Sequence, residues 1–304
     1  MAIRITRAAD PVTVDRLTVC IYAQPGIGKT TLGFTADRPL LLDFDRGIHR
    51  AAVRGDAVQV SRWSDVRDMT AADLDPYGTI IADTAGRALD SLAADIIRRD
   101  PKLGYGNALN KQGYGRLKSE FAAWLAFLHS TRKDVILLAH MDEQRNGEET
   151  VERIDAAGSS KAEIYKQADL MGRVVYSAGQ RVLTFRQSES AFAKAPPGVD
   201  AYTIPTPPGD LLARVIRDAK AAMNAIGEEG RKRWIAQEAQ RAEWAEASVE
   251  VLTDAARAGG MDPSLRRILA DVAKARGLAW DREAREWRGP AVAEHAGDAV
   301  EVGP

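Results

Sequence analysis

The chain has 304 residues, 42 basic and 43 acidic side chains, a formal net charge of −1 and a single cysteine. That length accommodates one large α/β domain with a smaller appendage, and the charge balance excludes both a global positive field and an acidic excess of the kind that favours disorder. Cys20 has no partner for an internal disulfide, no apolar run approaches the roughly 20 residues of a membrane span, and MAIRITRAADPV lacks the apolar block of a signal peptide, so a cytoplasmic protein without membrane contact is expected.

Residues 17–22, LTVCIY, are apolar and rich in strand-favouring types, and the Gly/Pro segment after them leads into KTTLGFTA, which can start a helix. The eight residues Ala23 to Thr30 match G-x-x-x-x-G-K-[ST] at every position but the first. In this phosphate loop, backbone N–H groups of Gln24, Gly26, Ile27, Gly28, Lys29, Thr30 and Thr31 surround the phosphates of a nucleotide, with Pro25 shaping the turn among them. Gly26 and Gly28 allow close approach, Lys29 bridges the terminal phosphates, and the Thr30 hydroxyl binds Mg²⁺. Ala23 stands where the strand enters the loop, a place that needs a compact residue and tolerates alanine while φ stays negative.

PLLLDFD (39–45) is a second strand, and AVQVSRW a shorter third. Asp43 and Asp45 are two residues apart and point the same way; Asp45 is the preferred carboxylate for orienting an attacking water, with Asp43 as the second choice. GTIIADTAG (78–86) is a fourth strand, ending in Asp83 at the edge where ligands of open α/β sheets bind. Asp83 is expected to hold Mg²⁺ through water, with helix capping as the bland alternative and Thr84 able to cap instead.

ALDSLAADIIRRD and RLKSEFAAWLAFLHS are helical patterns. Between them Arg98, Arg99, Lys102, Lys111 and Arg116 are interleaved with Tyr105 and Tyr114. A single-stranded nucleic acid groove uses that mixture, but a flexible connection with tyrosines on the sheet edge explains it better. DVILLAH (134–140) is a fifth strand; His140 at its end either senses the γ-phosphate or is a packed, satisfied side chain. Near-continuous apolar strands separated by helices predict an α/β fold whose mostly parallel sheet carries helices on both faces.

Asn146-Gly147 predicts a hairpin after the fifth strand, and Gly179-Gln180 a second between RVVYSA and RVLTFRQ. IPTPPGD (204–210) is a natural boundary, giving an ATPase core over 1–205, a helical region over 206–288 and a disordered tail over 289–304. Trp234, Trp244, Trp280 and Trp287 read as core residues of that helical region rather than stacking residues.

PGIGKTTL, PLLLDFDRG, TIIADT, VILLAH and KQADLMGRV with RVLTFRQ, in that order, resemble the phage-encoded AAA/RecA-like P-loop ATPases, a group that includes single-strand annealing recombinases. The resemblance covers residues 15–205. It implies a RecA-like core, ATP and Mg²⁺ as ligands, assembly into a homo-oligomer or filament, action on single-stranded DNA in recombination or annealing, and contact with a single-strand binding protein. It places Asp45 where RecA-like ATPases carry a catalytic glutamate, and His140 where they often carry glutamine before a DNA-binding loop, here residues 141–160. The mixture of Gln144, Arg145 and Asn146 with four glutamates makes that segment no obvious phosphate-binding strip and leaves a subunit contact that orders with ATP as the alternative. Lys161, Lys166, Arg186 and Lys194 become candidates for reaching a neighbouring subunit's phosphate. Two other readings remain open: an ATP-dependent switch that docks a protein partner through its C-terminal region, and a small-molecule kinase, disfavoured because no Arg-rich lid segment is evident.

Overall fold

Two interleaved apolar sets run along the buried strands, and each faces a different helical layer. In β1 (Thr18–Ala23), Val19, Ile21 and Ala23 belong to one core and Cys20 and Tyr22 to the other, because successive side chains of a strand alternate. The computed structural model describes residue 3 and residues 5–106, 108–146, 149–156 and 160–289.

After β1 come α1 (Lys29–Gly33), β2 (Pro39–Asp43), β3 (Asp56–Gln59), the short helices α2 (Ser64–Arg67) and α3 (Ala71–Leu74), β4 (Thr79–Asp83) and α4 (Ala85–Arg99). A small hairpin of β5 (Gly104–Tyr105) and β6 (Ala108–Leu109) precedes α5 (Lys111–Ser130). Then follow β7 (Asp134–Asn146), β8 (Glu149–Ile154), α6 (Ser160–Gln167), β9 (Leu170–Ser177), β10 (Gln180–Thr184) and β11 (Ala201–Thr203). The remaining elements are α7 (Leu211–Glu246), α8 (Val249–Arg257), α9 (Pro263–Ala275), β12 (Ala279–Asp281) and β13 (Glu286–Arg288).

The main sheet runs β11-β10-β9-β1-β7-β4-β2-β3, with β8 paired to β7. From β9 to β3 the pairing is parallel, and β10 and β11 extend one edge antiparallel. Leu89 and Leu92 of α4 and Leu117 and Phe121 of α5 pack with Leu42, Ile80 and Leu137 on one face. Leu32 of α1 and Leu212 and Val215 of α7 pack with Ile21, Ile81 and Ile136 on the other. Burial on both faces is why these strands read as unbroken apolar runs, and the α/β architecture with helices on both faces of a mostly parallel sheet is the one the sequence predicts. Register then lines up the functional strand ends: Ala23 lies opposite His140, and Asp83 opposite both Leu138 and Asp43.

Three local features bear on the sequence expectations. First, the hairpin expected after the fifth strand is present, with β7 running on past His140 to Asn146 and folding back as β8 so that Asn146 lies opposite Glu149; Gly147 lies outside the described residues. Second, the β9–β10 turn is Ala178-Gly179, both with positive φ (48° and 76°), one residue earlier than predicted because Ser177 pairs with Gln180; a two-residue hairpin of this kind needs left-handed backbone at both central positions. Third, the predicted helical region ends in a β12–β13 hairpin, where Trp280 and Trp287 face each other with ring centroids 5.2 Å apart. These two tryptophans therefore sit on strands.

Contacts group the chain into two compact units, Thr13–Ala225 and Met1–Val12 with Ile226–Pro304. The second has its own small core of Trp244, Leu252, Ile268, Leu269 and Val272, with Trp287 packed on it. Ser248 caps α8 and Asp262 caps α9, each side chain accepting a first-turn backbone N–H. Trp234 is partly exposed. Residues 290–304 lie outside the described residues. Among the described residues, no helix is long and apolar enough to cross a membrane.

Asp134, at the start of β7, ties the first unit together. One carboxylate oxygen accepts the Leu17 backbone N–H at 2.8 Å and the other accepts from Lys220 Nζ at 2.7 Å. Burial pushes its pKa up, against the pull of Lys220. Asp134→Ala leaves the Lys220 ammonium and the Leu17 N–H without their acceptor and is expected to cost about 3 kcal/mol, measured by urea unfolding; Asp134→Asn, which keeps an acceptor, loses less.

Candidate nucleotide site

The phosphate loop depends on backbone that only glycine adopts cheaply. Gly26 and Gly28 have φ of 79° and 99°, in the left-handed region where a Cβ is strained. At Gly28 a Cβ would also stand 2.7 Å from Arg181 Nη1, and that guanidinium donates to the Ile27 carbonyl at 3.2 Å. Ala23 is the buried last residue of β1 and is not among the residues with positive φ. Alanine meets the requirement at that place.

Lys29, only 6% exposed, is the centre of the site. Its ammonium has three donors and no acceptor, and it donates to the carbonyls of Ala23 and Gln24 at 3.1 Å each, with His140 Nδ1 at 3.3 Å. Burial lowers its pKa, while Asp83 and Asp45 pull it upward. Thr30 Oγ1 donates to Asp83 Oδ2 at 2.6 Å, so the two expected metal-binding side chains are already in contact. Burial raises the Asp83 pKa above the carboxylate range, with the Thr30 bond opposing and the charges of Asp45 and Asp43 adding to it. A cation placed there offsets that cost, and Mg²⁺ takes its other ligands from phosphate and water. The residues present fit the group.

Asp45 lies just past β2 with its two oxygens facing different partners. Oδ2 is 3.2 Å from His140 Nε2, and Oδ1 is 3.5 Å from both Arg87 Nε and Thr84 Oγ1. Burial raises its pKa, but the His140 hydrogen bond and the charges of Arg87 and Lys29 outweigh that and hold it below the usual carboxylate range. Lys29, His140, Asp45 and Arg87 thus form a continuous chain of contacts from α1 to α4.

The cleft above these groups, about 560 Å³, brings together Pro25, Gly26, Gly28, Lys29, Thr30, Thr31, Asp45, Asp83 and His140. Gln24 and Ile27 are not part of it. They line a separate cavity beside Val174 and Tyr176, and the Gln24 side chain donates to Glu143 Oε1 of β7 at 2.7 Å. Any contact from these two residues to phosphate therefore comes from their backbone.

Asp43, the second choice for a water-orienting acid, is fully buried and accepts the backbone N–H groups of Gly47 (2.9 Å) and Ile48 (3.0 Å). Its carboxylate caps a turn, and Asp43 is not among the residues that line the cleft. Sequence reasoning missed Arg87, Arg50 and Gly47 in the cleft wall and Arg181 behind the loop. Arg87 follows Asp83 by one helical turn, a spacing that gives it away in retrospect; Arg181 comes from a distant strand and carries no local signal.

The basic residues proposed for nucleic acid are mostly engaged. Arg98 and Arg99 pair with the buried Asp95, and Arg99 and Arg116 with Glu120. Tyr105 is 85% exposed rather than packed on the sheet edge. Lys166 pairs with Glu163, Lys194 Nζ donates to the Ala168 carbonyl, and Arg186 approaches Asp200. None of these lines the cleft, nor does Lys161.

A family model described as an AAA domain matches residues 15–196. The chain belongs to this AAA-domain family. The match spans the phosphate loop, both acid-bearing strands and β7 to β9, so the geometry above is that of an AAA-type P-loop ATPase, a nucleotide-binding protein. A comparison with curated proteins finds no match.

Because Asp43 holds the wall of the AAA domain's cleft rather than its chemistry, Asp43→Ala is expected to cost about 2 kcal/mol of stability by orphaning two backbone donors. Isothermal titration should show weaker nucleotide binding as the turn at Gly47 loosens, and Asp43→Asn, which keeps only one of the two acceptor oxygens, should retain part of both.

Proposed function

We propose that the chain binds ATP with Mg²⁺ and hydrolyses it, with Lys29 and the loop backbone holding the phosphates and Thr30 and Asp83 holding the metal. The observation that carries this is the Thr30–Asp83 bond of 2.6 Å beside a buried Lys29, with a carboxylate and an imidazole across the same cleft. Mg²⁺ when bound supplies neutralisation of phosphate charge. Water is activated at the Asp45–His140 pair, and Arg87 holds Asp45 from the far side. Catalysis of this kind is mostly positioning and electrostatic stabilisation.

The substrate side of the proposal is single-stranded DNA in recombination or strand annealing, by a protein that works as an oligomer. What supports it is a groove of about 440 Å³ next to the cleft, lined by Arg46, Arg62 and Arg87 together with Phe44 and Trp63, and also by Asp90 and by the Arg98–Asp95 pair. Arg87 lines both cavities. Guanidinium groups track phosphates well, and the shared Arg87 gives a strand in the groove a route to the nucleotide.

Lys29→Ala is expected to lose ATP binding and to lower hydrolysis by on the order of 10²-fold or more, read by equilibrium binding of a fluorescent nucleotide and by phosphate release. Asp83→Asn should keep nucleotide binding in the absence of metal and lose its Mg²⁺ dependence. Anisotropy with a labelled single-stranded oligonucleotide at low salt tests the DNA part, together with ATPase rate with and without DNA. Binding that weakens in an Arg46→Ala/Arg62→Ala variant supports it; no binding by the unmodified protein removes it.

A further inference from the structure

Sequence position alone assigns Asp45 as the base and leaves His140 to sense phosphate, and the hydrogen bonds reverse those roles. The ammonium of Lys29 can only donate, so the contact of 3.3 Å at His140 Nδ1 makes that nitrogen an acceptor. The other ring nitrogen then carries the proton, and Nε2–H points at Asp45 Oδ2, 3.2 Å away. The imidazole is held as a single tautomer by a carboxylate on one side, with its lone pair aimed at the group that serves the terminal phosphate. Asp45 is in turn pinned by Arg87 and Thr84.

This is the arrangement by which a carboxylate orients a histidine base. We infer that His140 is the general base of ATP hydrolysis, accepting the proton of the attacking water at Nδ1, and that Asp45 is the positioning residue that fixes its tautomer. The inference rests on the ATPase reading above. When Lys29 turns to phosphate and gives up Nδ1 along with its carbonyls, Nδ1 loses its donor, so the base is exposed only when nucleotide is in place. The water oxygen then bonds to the γ-phosphorus as the bond from that phosphorus to the β,γ-bridging oxygen breaks. The water proton moves to Nδ1, and ADP departs with the electron pair of the broken bond. The imidazolium is stabilised by Asp45 until it passes a proton to phosphate or solvent. Arrangement in this order also removes the difficulty that aspartate is one methylene shorter than the glutamate of RecA-like ATPases: Asp45 has to reach the ring, and it does.

Two measurements decide the matter. In protein labelled with ¹⁵N at histidine, free of nucleotide, long-range proton–nitrogen correlation should show His140 protonated at Nε2 and bare at Nδ1, and Lys29→Met should shift Nδ1 more than Nε2. For turnover, His140→Ala and His140→Gln should lower kcat by on the order of 10²-fold or more with ATP affinity within a few-fold of the unmodified protein. Added imidazole should restore part of the rate of His140→Ala and none of the rate of Lys29→Ala. Asp45→Asn should lose less than either His140 variant. A proton resident on Nδ1, or an Asp45→Asn loss exceeding that of His140→Ala with no imidazole rescue, overturns the assignment while leaving the ATPase reading in place. An unmodified protein that binds ATP but never releases phosphate overturns both.

Discussion

A buried ammonium with three donors has to be satisfied, and much of the site can be understood as the means of satisfying Lys29. Leaving such a group unpaired in a low-dielectric interior costs several kcal/mol. Two loop carbonyls and one imidazole nitrogen meet the demand, and each places a constraint elsewhere. The carbonyls of Ala23 and Gln24 must turn inward, which the glycines at 26 and 28 permit. The imidazole must present a lone pair, which the carboxylate at Asp45 enforces from the opposite side. Two acids in the neighbourhood favour the charged lysine and oppose the effect of burial, which lowers its pKa. Phosphate can replace these partners but adds no new requirement, so the loop is organised before its ligand arrives.

The sheet supplies the precision this demands. β1, β7, β4 and β2 are adjacent and parallel, so a shift of one residue in any pairing would turn a functional side chain to the other face. The alternating cores prevent that: sliding β7 by one would exchange Leu137 and Leu138 between two differently shaped layers. Stability and placement of the site therefore have the same origin.

The strands, the two-faced burial and the phosphate loop were legible because each is written in local periodicity or in a contiguous motif. Asp83 could be read from the end of β4, Asp45 from its place just past β2, and His140 from the end of VILLAH. Asp43 could not be separated from Asp45, since both satisfy the same spacing and only the turn at Gly47 reveals which one is consumed as a cap. Arg181 reaches the site from β10, and no feature of its own segment announces it, whereas Arg87 of α4 is signalled only by its spacing from Asp83. The pairings Arg98–Asp95 and Arg116–Glu120 show the converse: a basic stretch looks available in the sequence until the fold brings acids to it. β12 and β13 escaped because short strands of three residues leave too little alternation to distinguish from a helix end.

The hydrogen bond between Gln24 and Glu143 joins the phosphate loop to the arm formed by β7 and β8. Gln24 also carries one of the carbonyls that Lys29 gives up. Thermodynamic reciprocity then applies: whatever grips the β7–β8 arm and strains this bond changes nucleotide affinity by the same factor by which nucleotide changes the grip. Both side chains are exposed, which limits the bond to about 1 kcal/mol and the factor to about fivefold. That is enough to bias an equilibrium and too little to lock one, so communication along this route is graded rather than all-or-none.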